Sequence, residues 1–227
     1  MKWLTTFFGS SIGKKLLMSL TGLFLILFLL IHLIGNLQLL KNDGGMSFNI
    51  YAKLMTTNPL IKFISYGNYF FILLHAFIGI SLALYNRTAK GQKYAVAANN
   101  NTTWASKNMA LLGTLILAFI FIHMGDFWLK MKLDQLPMVT YPGVEVEIKD
   151  LYFSVNETFK QPLFVGLYVI GMIILAFHLQ HGFQSAFQTL GINHKKYTPI
   201  IKTIGLAYAI LVPLGFAIIP IWHFLMK

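Results

Sequence analysis

Five long apolar segments follow one another along the chain, separated by short polar stretches. A helix that crosses a bilayer needs roughly 20 apolar residues, and each segment reaches or approaches that length. The pattern predicts spanning helices at about 16–40, 61–86, 106–129, 161–190 and 200–225. Pro213 and Pro220 should kink the fifth helix. We therefore expect an all-α integral membrane protein, with residues 1–227 forming one membrane domain.

Composition agrees with this picture. The chain has 227 residues, of which 56% are hydrophobic and 11% are charged, whereas a soluble domain carries about 25% charged residues. The first apolar segment exceeds the h-region of a cleaved signal peptide, which is about 7–15 residues long. The absence of cysteine excludes disulfides, thiolate haem ligation and iron–sulfur clusters held by this chain. The net charge of +11 fits attraction to anionic lipid, and nothing indicates nucleic acid.

Charge predicts the orientation. With the N-terminus inside, ten of the 18 Lys and Arg residues lie on the inner side with no acid, and all seven Asp and Glu residues lie outside. The positive-inside rule therefore favours an inner N-terminus and an outer C-terminus. The inner face, including Lys90 and Lys93, is a plausible docking surface for a peripheral partner. Among the loops, residues 42–45 indicate a turn. Residues 150–159 are expected to form a short amphipathic helix on the outer surface.

A histidine lies deep inside each of the first four apolar segments: His32, His75, His123 and His178. A helical rise of about 1.5 Å per residue places His32 and His123 about 10–14 Å from the outer charges, and His75 and His178 about 20–27 Å from them. Two layers result, each joining two parallel helices that would be diagonal neighbours in a four-helix bundle. Such a bundle can ligate a macrocycle from both faces. The pattern therefore suggests two haems, although a purely structural role or a proton relay remains an alternative.

Neighbouring residues are candidates for supporting roles. Gly35, Gly79 and Gly182 share a helix face with the preceding histidine and would let a flat ring approach, or would simply allow close helix packing. On the fourth helix His181 lies one turn from His178, so it could ligate instead, or could hydrogen-bond a propionate or a quinone. Arg87 is a candidate to neutralise propionates. His223, near the outer end of the fifth helix, is expected at the membrane interface.

Four segments carry a family resemblance: SLTGLFLILFLLIHLIGNL, LLHAFIGI, IHMGDFW and FHLQHGFQSAFQTLG. Over nearly its whole length the chain resembles the cytochrome b membrane anchor of succinate dehydrogenase and fumarate reductase, in the five-helix, di-haem form. In that family the fourth-helix ligand is followed by glycine four and thirteen residues later. Counting from His178 gives Gly182 and Gly191, whereas counting from His181 gives Ser185 and His194. The resemblance thus favours His178.

The resemblance implies a function. His75 and His178 would hold the proximal haem b, and His32 and His123 the distal one. A flavoprotein subunit, which performs the dicarboxylate chemistry, and an iron–sulfur subunit would bind the inner face of a bacterial cytoplasmic membrane. This chain would then be the membrane subunit of an oxidoreductase and would pass electrons to a quinone, usually menaquinone in such anchors.

The sequence departs from the family at two positions. Some fumarate reductases of this type carry a glutamate two residues before the fourth-helix ligand, where this chain has Ala176. They also carry a quinone-site glutamate near the start of the second helix, yet no acid lies between Asp43 and Asp126. These absences favour succinate oxidation. Two alternative functions are a di-haem anchor of a hydrogenase or formate dehydrogenase, and a haem-free transporter with a histidine proton relay.

Overall fold

The computed structural model describes residues 2–89 and 104–226, and these residues are almost entirely helical. The α-helices are α1 Lys2–Gly9, α2 Ser11–Asn36, α3 Met46–Thr57, α4 Pro59–Ala89, α5 Trp104–Lys107, α6 Met109–His123, α7 Lys130–Lys132, α8 Leu151–Phe159, α9 Pro162–Thr189 and α10 Tyr197–Leu225. A 3-10 turn, Leu37–Leu40, extends α2, and a π-helical turn, Met124–Leu129, joins α6 to α7. Two short strands, β1 Met138–Val139 and β2 Ile148–Lys149, pair antiparallel.

Five helical segments are long and apolar enough to cross a membrane. They are Ser11–Leu40, Pro59–Thr88, Met109–Lys132, Pro162–Thr189 and Tyr197–Leu225, each within five residues of the predicted bounds. Large apolar side chains such as Phe63 and Leu211 are 76% and 63% exposed on these helices. Apolar surface of this extent marks contact with lipid. The prediction of an all-α, multi-pass membrane protein is confirmed.

The first four spanning segments contact one another in a cycle. Helix α2 packs against α4 and α9, and α6 packs against the same two helices. The fifth, α10, lies along α9 and also touches α2. Polar bonds accompany this packing, because the Ser19 hydroxyl donates to the Ala186 carbonyl oxygen at 2.9 Å and the Tyr208 hydroxyl donates to that of Ile26. Such interhelical bonds stabilise helices that have no hydrophobic driving force between them in lipid.

Two helices were not predicted. Helix α1 precedes the first span, and Ser10 separates the two helices by accepting a bond from the Gly13 amide at 3.0 Å. Helix α3 follows the predicted turn, where Gly45 has a φ of +84° that favours glycine. The Asp43 carboxylate accepts the Ser47 amide at 3.0 Å at the start of α3. Hydrogen bonds from Ser47, led by its hydroxyl, hold the pKa of the Asp43 carboxyl below its usual value.

The segments between the spans form a cap at one end of the molecule, which we define as residues 41–58 and 133–160. Asn49 lies at its centre and is fully buried. Its amide group donates to the Tyr141 hydroxyl and to the Asp150 carboxylate, both at 2.8 Å, and its oxygen accepts the Tyr152 amide at 3.0 Å. One side chain therefore ties α3 to the β1–β2 connection and to the start of α8.

Helix α8 confirms the predicted short helix, but its environment differs from the expectation. Val155 and Phe159 are only 4% and 3% exposed and join a core with Tyr168 of α9 and Ile219 of α10. The helix is thus packed into the cap on one face instead of lying free on the surface. At the other end, the predicted inner cations Lys90 and Lys93 lie outside the described residues.

Candidate functional site

The four predicted histidines form two ring pairs inside the cycle of helices. His32 of α2 faces His123 of α6, with ring centroids 5.8 Å apart and ring planes at 85°. His75 of α4 faces His178 of α9, with centroids 6.3 Å apart and planes at 73°. Each pair joins helices on opposite sides of the cycle. A metal ion between two imidazole nitrogens lies about 2 Å from each, so the ring centres would be about 6 Å apart. Both pairs have this separation.

The His32–His123 pair lies within aromatic side chains. Phe28 stacks on His32 at 5.2 Å, and Phe119 stacks on His123 at 6.0 Å. Asn36, one turn along α2, donates its amide to the His32 carbonyl oxygen at 2.8 Å and lies 3.3 Å from the ring nitrogen Nδ1 of the same histidine. Aromatic rings therefore surround this pair, and the ring nitrogen Nδ1 of His123 is buried among them.

Thr21 orients the ring of His75. The Thr21 hydroxyl oxygen lies 2.9 Å from His75 Nδ1 and 2.7 Å from the Leu17 carbonyl oxygen. A hydroxyl has one proton. Both bonds therefore form together only when the hydroxyl donates to Leu17 and Nδ1–H of His75 donates to the hydroxyl. This tautomer leaves the Nε2 lone pair free for a metal, as the second shell of a metal-ligating histidine usually does.

The distance between the two histidine pairs can be estimated along α2 and along α6, since each of these helices contacts both pairs. Thr21, which marks the level of His75 on α2, precedes His32 by eleven residues, or about 16 Å of helix. Gly113, whose Cβ would lie 3.8 Å from the His178 ring, precedes His123 by ten residues, or about 15 Å. The two estimates agree, and the His32–His123 pair is the one nearer the cap.

The glycines divide into those that touch a histidine and those that do not. A Cβ on Gly22 would lie 3.3 Å from the His75 ring, so Gly22, like Gly113, allows close approach to a histidine. A Cβ on Gly35 would instead lie 2.3 Å from the Tyr51 ring, and one on Gly79 3.1 Å from Met18. Around Gly182 a Cβ would meet nothing within 4 Å. Gly35 therefore allows α2 to pack closely against α3. Because α3 was not predicted from the sequence, this contact could not be predicted either.

Several buried polar atoms have no hydrogen-bond partner among the described residues. They include Nδ1 of His123, Nδ1 of His178 and Oδ1 of Asn68. Asn68 precedes His75 by seven residues, so it lies on the same face of α4, about 10 Å closer to the cap. Buried polar atoms normally have a hydrogen-bond partner, so atoms without one inside the cycle of helices mark a candidate functional site. The histidine pairs and these atoms fit a ligand held inside the cycle.

Two other candidate residues, His181 and Arg87, do not belong to the histidine pairs. The His75 ring contact is with His178, and His181 lies half-buried one turn further along α9. Arg87 is exposed in the last turn of α4, twelve residues or about 18 Å along the helix from His75. The structure therefore does not bring Arg87 to the histidine pairs.

His223 differs from the expectation of an interfacial residue. It is only 4% exposed, with its ring 5.5 Å from that of Tyr152 and 6.4 Å from that of Phe159. Its Nε2 has no partner among the described residues. The cap packs over the end of α10 and buries this histidine, which the sequence of the fifth segment alone could not indicate.

A carboxylate next to His123 was missed as a site residue. The Tyr168 hydroxyl donates to Oδ2 of Asp126 at 2.8 Å. The Tyr168 ring lies 6.0 Å from the ring of His123. Asp126 belongs to the π-helical turn that directly follows His123, and such turns are frequent at functional sites. The signal was present in the sequence, since Asp126 is the only acid in the predicted spanning segments.

The donor set bears on which group the site could hold. Within residues 2–89 and 104–226, no three or more His, Asp or Glu side chains gather as a metal ion held by protein ligands alone requires. Two facing histidines match the axial positions of a haem iron, whose other ligands come from the macrocycle.

Comparison of the chain with models of known families, with proteins of established function and with solved structures gives no match.

Proposed function

We propose that this chain is the di-haem cytochrome b anchor of a succinate:quinone oxidoreductase. The observation that carries the proposal is the pair of facing imidazoles found twice, about 15 Å apart along the helices. His75 and His178 would hold one haem b, and His32 and His123 the other. The succinate and fumarate chemistry would belong to a partner flavoprotein subunit. The choice of this enzyme over other di-haem anchors is supported by the sequence resemblance.

The histidines would bind the haems and tune their reduction potentials. When bound between two of these histidines, each haem would supply a one-electron carrier that does not bind oxygen. The Thr21 contact keeps His75 in the tautomer that leaves Nε2 for the metal and increases the basicity of the ring. The surrounding helices exclude water and fix the distance between the two sites.

The proposed arrangement in the membrane follows from charge. In the proposed orientation the cap faces outward and carries six of the seven acids. The opposite end carries Lys14, Lys15, Lys195 and Lys196, and no acid, in the described chain. We propose that this basic end faces the cytoplasm of a bacterium and docks an iron–sulfur subunit, while a membrane quinone, usually menaquinone in such anchors, reacts near the cap.

The decisive experiment is a reduced-minus-oxidised optical spectrum of the purified chain, with haem counted against protein. Two haem b per chain are expected. A preparation without haem bands would overturn the proposal and favour a haem-free transporter. Purification of the complex in mild detergent should also recover a flavin subunit and an iron–sulfur subunit. A nickel–iron or molybdenum subunit in their place would assign the anchor to a hydrogenase or formate dehydrogenase.

A further inference from the structure

Asp126 is the only acidic residue within the five spans that the structure describes. An ionisable side chain in a membrane segment is costly and normally has both a partner and a function. The proposed haem sites do not use this carboxylate, and the histidine pairs do not explain it. Its position four residues before Lys130 places it about 6 Å from the nearest flanking charge, on the cap side of His123.

Two hydrogen bonds from other helices hold Asp126, one at its carboxylate and one at its main chain. Tyr168 of α9, only 6% exposed, donates its hydroxyl to Oδ2. The Ser154 hydroxyl of α8 donates to the main-chain oxygen of Asp126 at 3.2 Å. A buried phenol therefore orients the carboxylate, while the cap holds the main chain of the same residue.

The other side of the carboxylate is accessible. No residue of the π-helical turn is buried, and Asp126 is itself partly exposed. No hydrogen bond to Oδ1 occurs within residues 2–89 and 104–226. Aromatic rings line the neighbourhood, with Phe119 5.1 Å and Phe127 6.0 Å from the Tyr168 ring. A flat, apolar molecule dissolved in the membrane, with a hydrogen-bonding group at its edge, matches this combination.

We propose that Asp126, supported by Tyr168, binds the headgroup of a membrane quinol and takes up one of its protons. The proposal rests on the proposed function, which supplies the electron carriers. Oxidation of the quinol breaks two O–H bonds and releases two electrons to those carriers. One proton goes to Asp126 Oδ1 and the other to the aqueous phase on the cap side. Quinone reduction is the reverse, with the Asp126 carboxyl returning its proton to a quinone oxygen.

This assignment also accounts for a departure from the resembled family. The two glutamates that some fumarate reductases carry are absent from this chain, and in this inference Asp126 supplies a carboxylate within the spans. Asp126 is the carboxylate within the spans that lies beside a proposed haem ligand. Tyr168 acts as a positioning residue, because its hydroxyl fixes the orientation of the carboxylate.

The test uses the full chain, purified with its haem, and two probes, menadione and menadiol. Equilibrium dialysis measures the dissociation constant of menadione, and stopped-flow absorbance measures haem reduction by menadiol without oxygen. The variants are Asp126→Leu, Asp126→Asn and Tyr168→Phe. Glu157→Gln is the matched control, because Glu157 is an exposed acid of the cap paired with Lys160.

Loss of the hydrogen-bonding group in Asp126→Leu should raise the dissociation constant of menadione at least about tenfold. Asp126→Asn should leave that constant within about threefold but slow haem reduction by about a hundredfold, the lower contribution of a general base. Tyr168→Phe should slow the reduction by about tenfold, because the carboxylate is less well oriented. Glu157→Gln should match the native chain in both measurements.

The outcomes separate this inference from the proposed function. A native chain without haem bands would refute the proposed function itself. A native chain with both haems, whose Asp126 variants bind menadione and react with menadiol as it does, would refute only the assignment of Asp126. Loss of the haem bands in Asp126→Asn would mean that Asp126 keeps His123 in place. An equal effect of Glu157→Gln would mean that any loss of negative charge in the cap region slows the reaction. Either result would overturn the inference.

Discussion

The rings of His75 and His178 face each other with centroids 6.3 Å apart, and Thr21 lies on the Nδ1 side of His75. This relationship selects His178 over His181, which lies a turn away, as the partner of His75. We expect His178→Ala to lose one of two haems per chain, because an iron with one axial ligand is held weakly. His181→Ala should retain both. Haem content per chain in the purified variants checks this, and two haems in His178→Ala would reverse the assignment.

We expect the Thr21 hydroxyl to set the midpoint potential of the proposed haem without being required for the haem to bind. Thr21→Val removes the acceptor for Nδ1–H, which lowers the basicity of His75 and stabilises the ferric iron less. We therefore expect two haems at saturating haem, a rise in the midpoint potential of one, and a loss of haem affinity of about 10–100-fold. Potentiometric titration followed by optical spectra measures the shift.

Two variants control this experiment. Thr21→Ser keeps the hydroxyl and should restore the native potential. Thr114→Val removes a hydroxyl that bonds only within α6 on an exposed surface, and it should change nothing. A potential unchanged in Thr21→Val would mean that the Thr21 contact does not influence the iron.

The fixed geometry of the α-helix explains why the sequence could predict the two layers of histidines. The rise per residue alone placed His32 level with His123 and His75 level with His178, and the ring distances agree with those layers. Their role as haem ligands stays a prediction. Thr21 could not be found this way, because its contact depends on how α2 and α4 are rotated against each other.

The cap explains most of what the sequence did not reveal. Its helix α3 is too polar and too short to show in a search for spanning segments, yet it places Tyr51 against Gly35. The burial of His223 likewise depends on α8 folding over the end of α10. Both cases involve contacts between segments distant in sequence, whereas the spans are defined by local composition.

Asn49 should be the residue on which the stability of the cap depends most. Asn49→Ala would leave the Tyr152 amide without its partner and would remove the amide that Tyr141 and Asp150 share. Each unsatisfied group costs about 1–3 kcal/mol, so we expect a loss of at least that amount. Chemical unfolding in detergent, followed by tyrosine and tryptophan fluorescence, measures it. Asn156→Ala, on a partly exposed face of α8, should cost less than about 0.5 kcal/mol.

Acid should loosen the start of α3. Folding lowers the pKa of the Asp43 carboxyl through the hydrogen bonds from Ser47, so this carboxylate stabilises the fold above its unfolded pKa of about 3.9. That stability is lost as the pH falls from there through the folded pKa. We expect hydrogen exchange at the Ser47 amide to accelerate over this range, relative to the intrinsic rate. Asp43→Asn should abolish the pH dependence, whereas Glu145→Gln, at an exposed position, should preserve it.

The orientation can be tested with unusual clarity, because the chain has no cysteine of its own and any introduced thiol is unique. Lys132→Cys places a thiol at an exposed position where α7 meets the cap, and Lys195→Cys places one at the exposed opposite end. With the N-terminus inside, a membrane-impermeant maleimide added to intact spheroplasts should label Lys132→Cys. Lys195→Cys should be labelled only after permeabilisation. The reverse pattern would invert the topology and place the proposed quinone reaction on the cytoplasmic side.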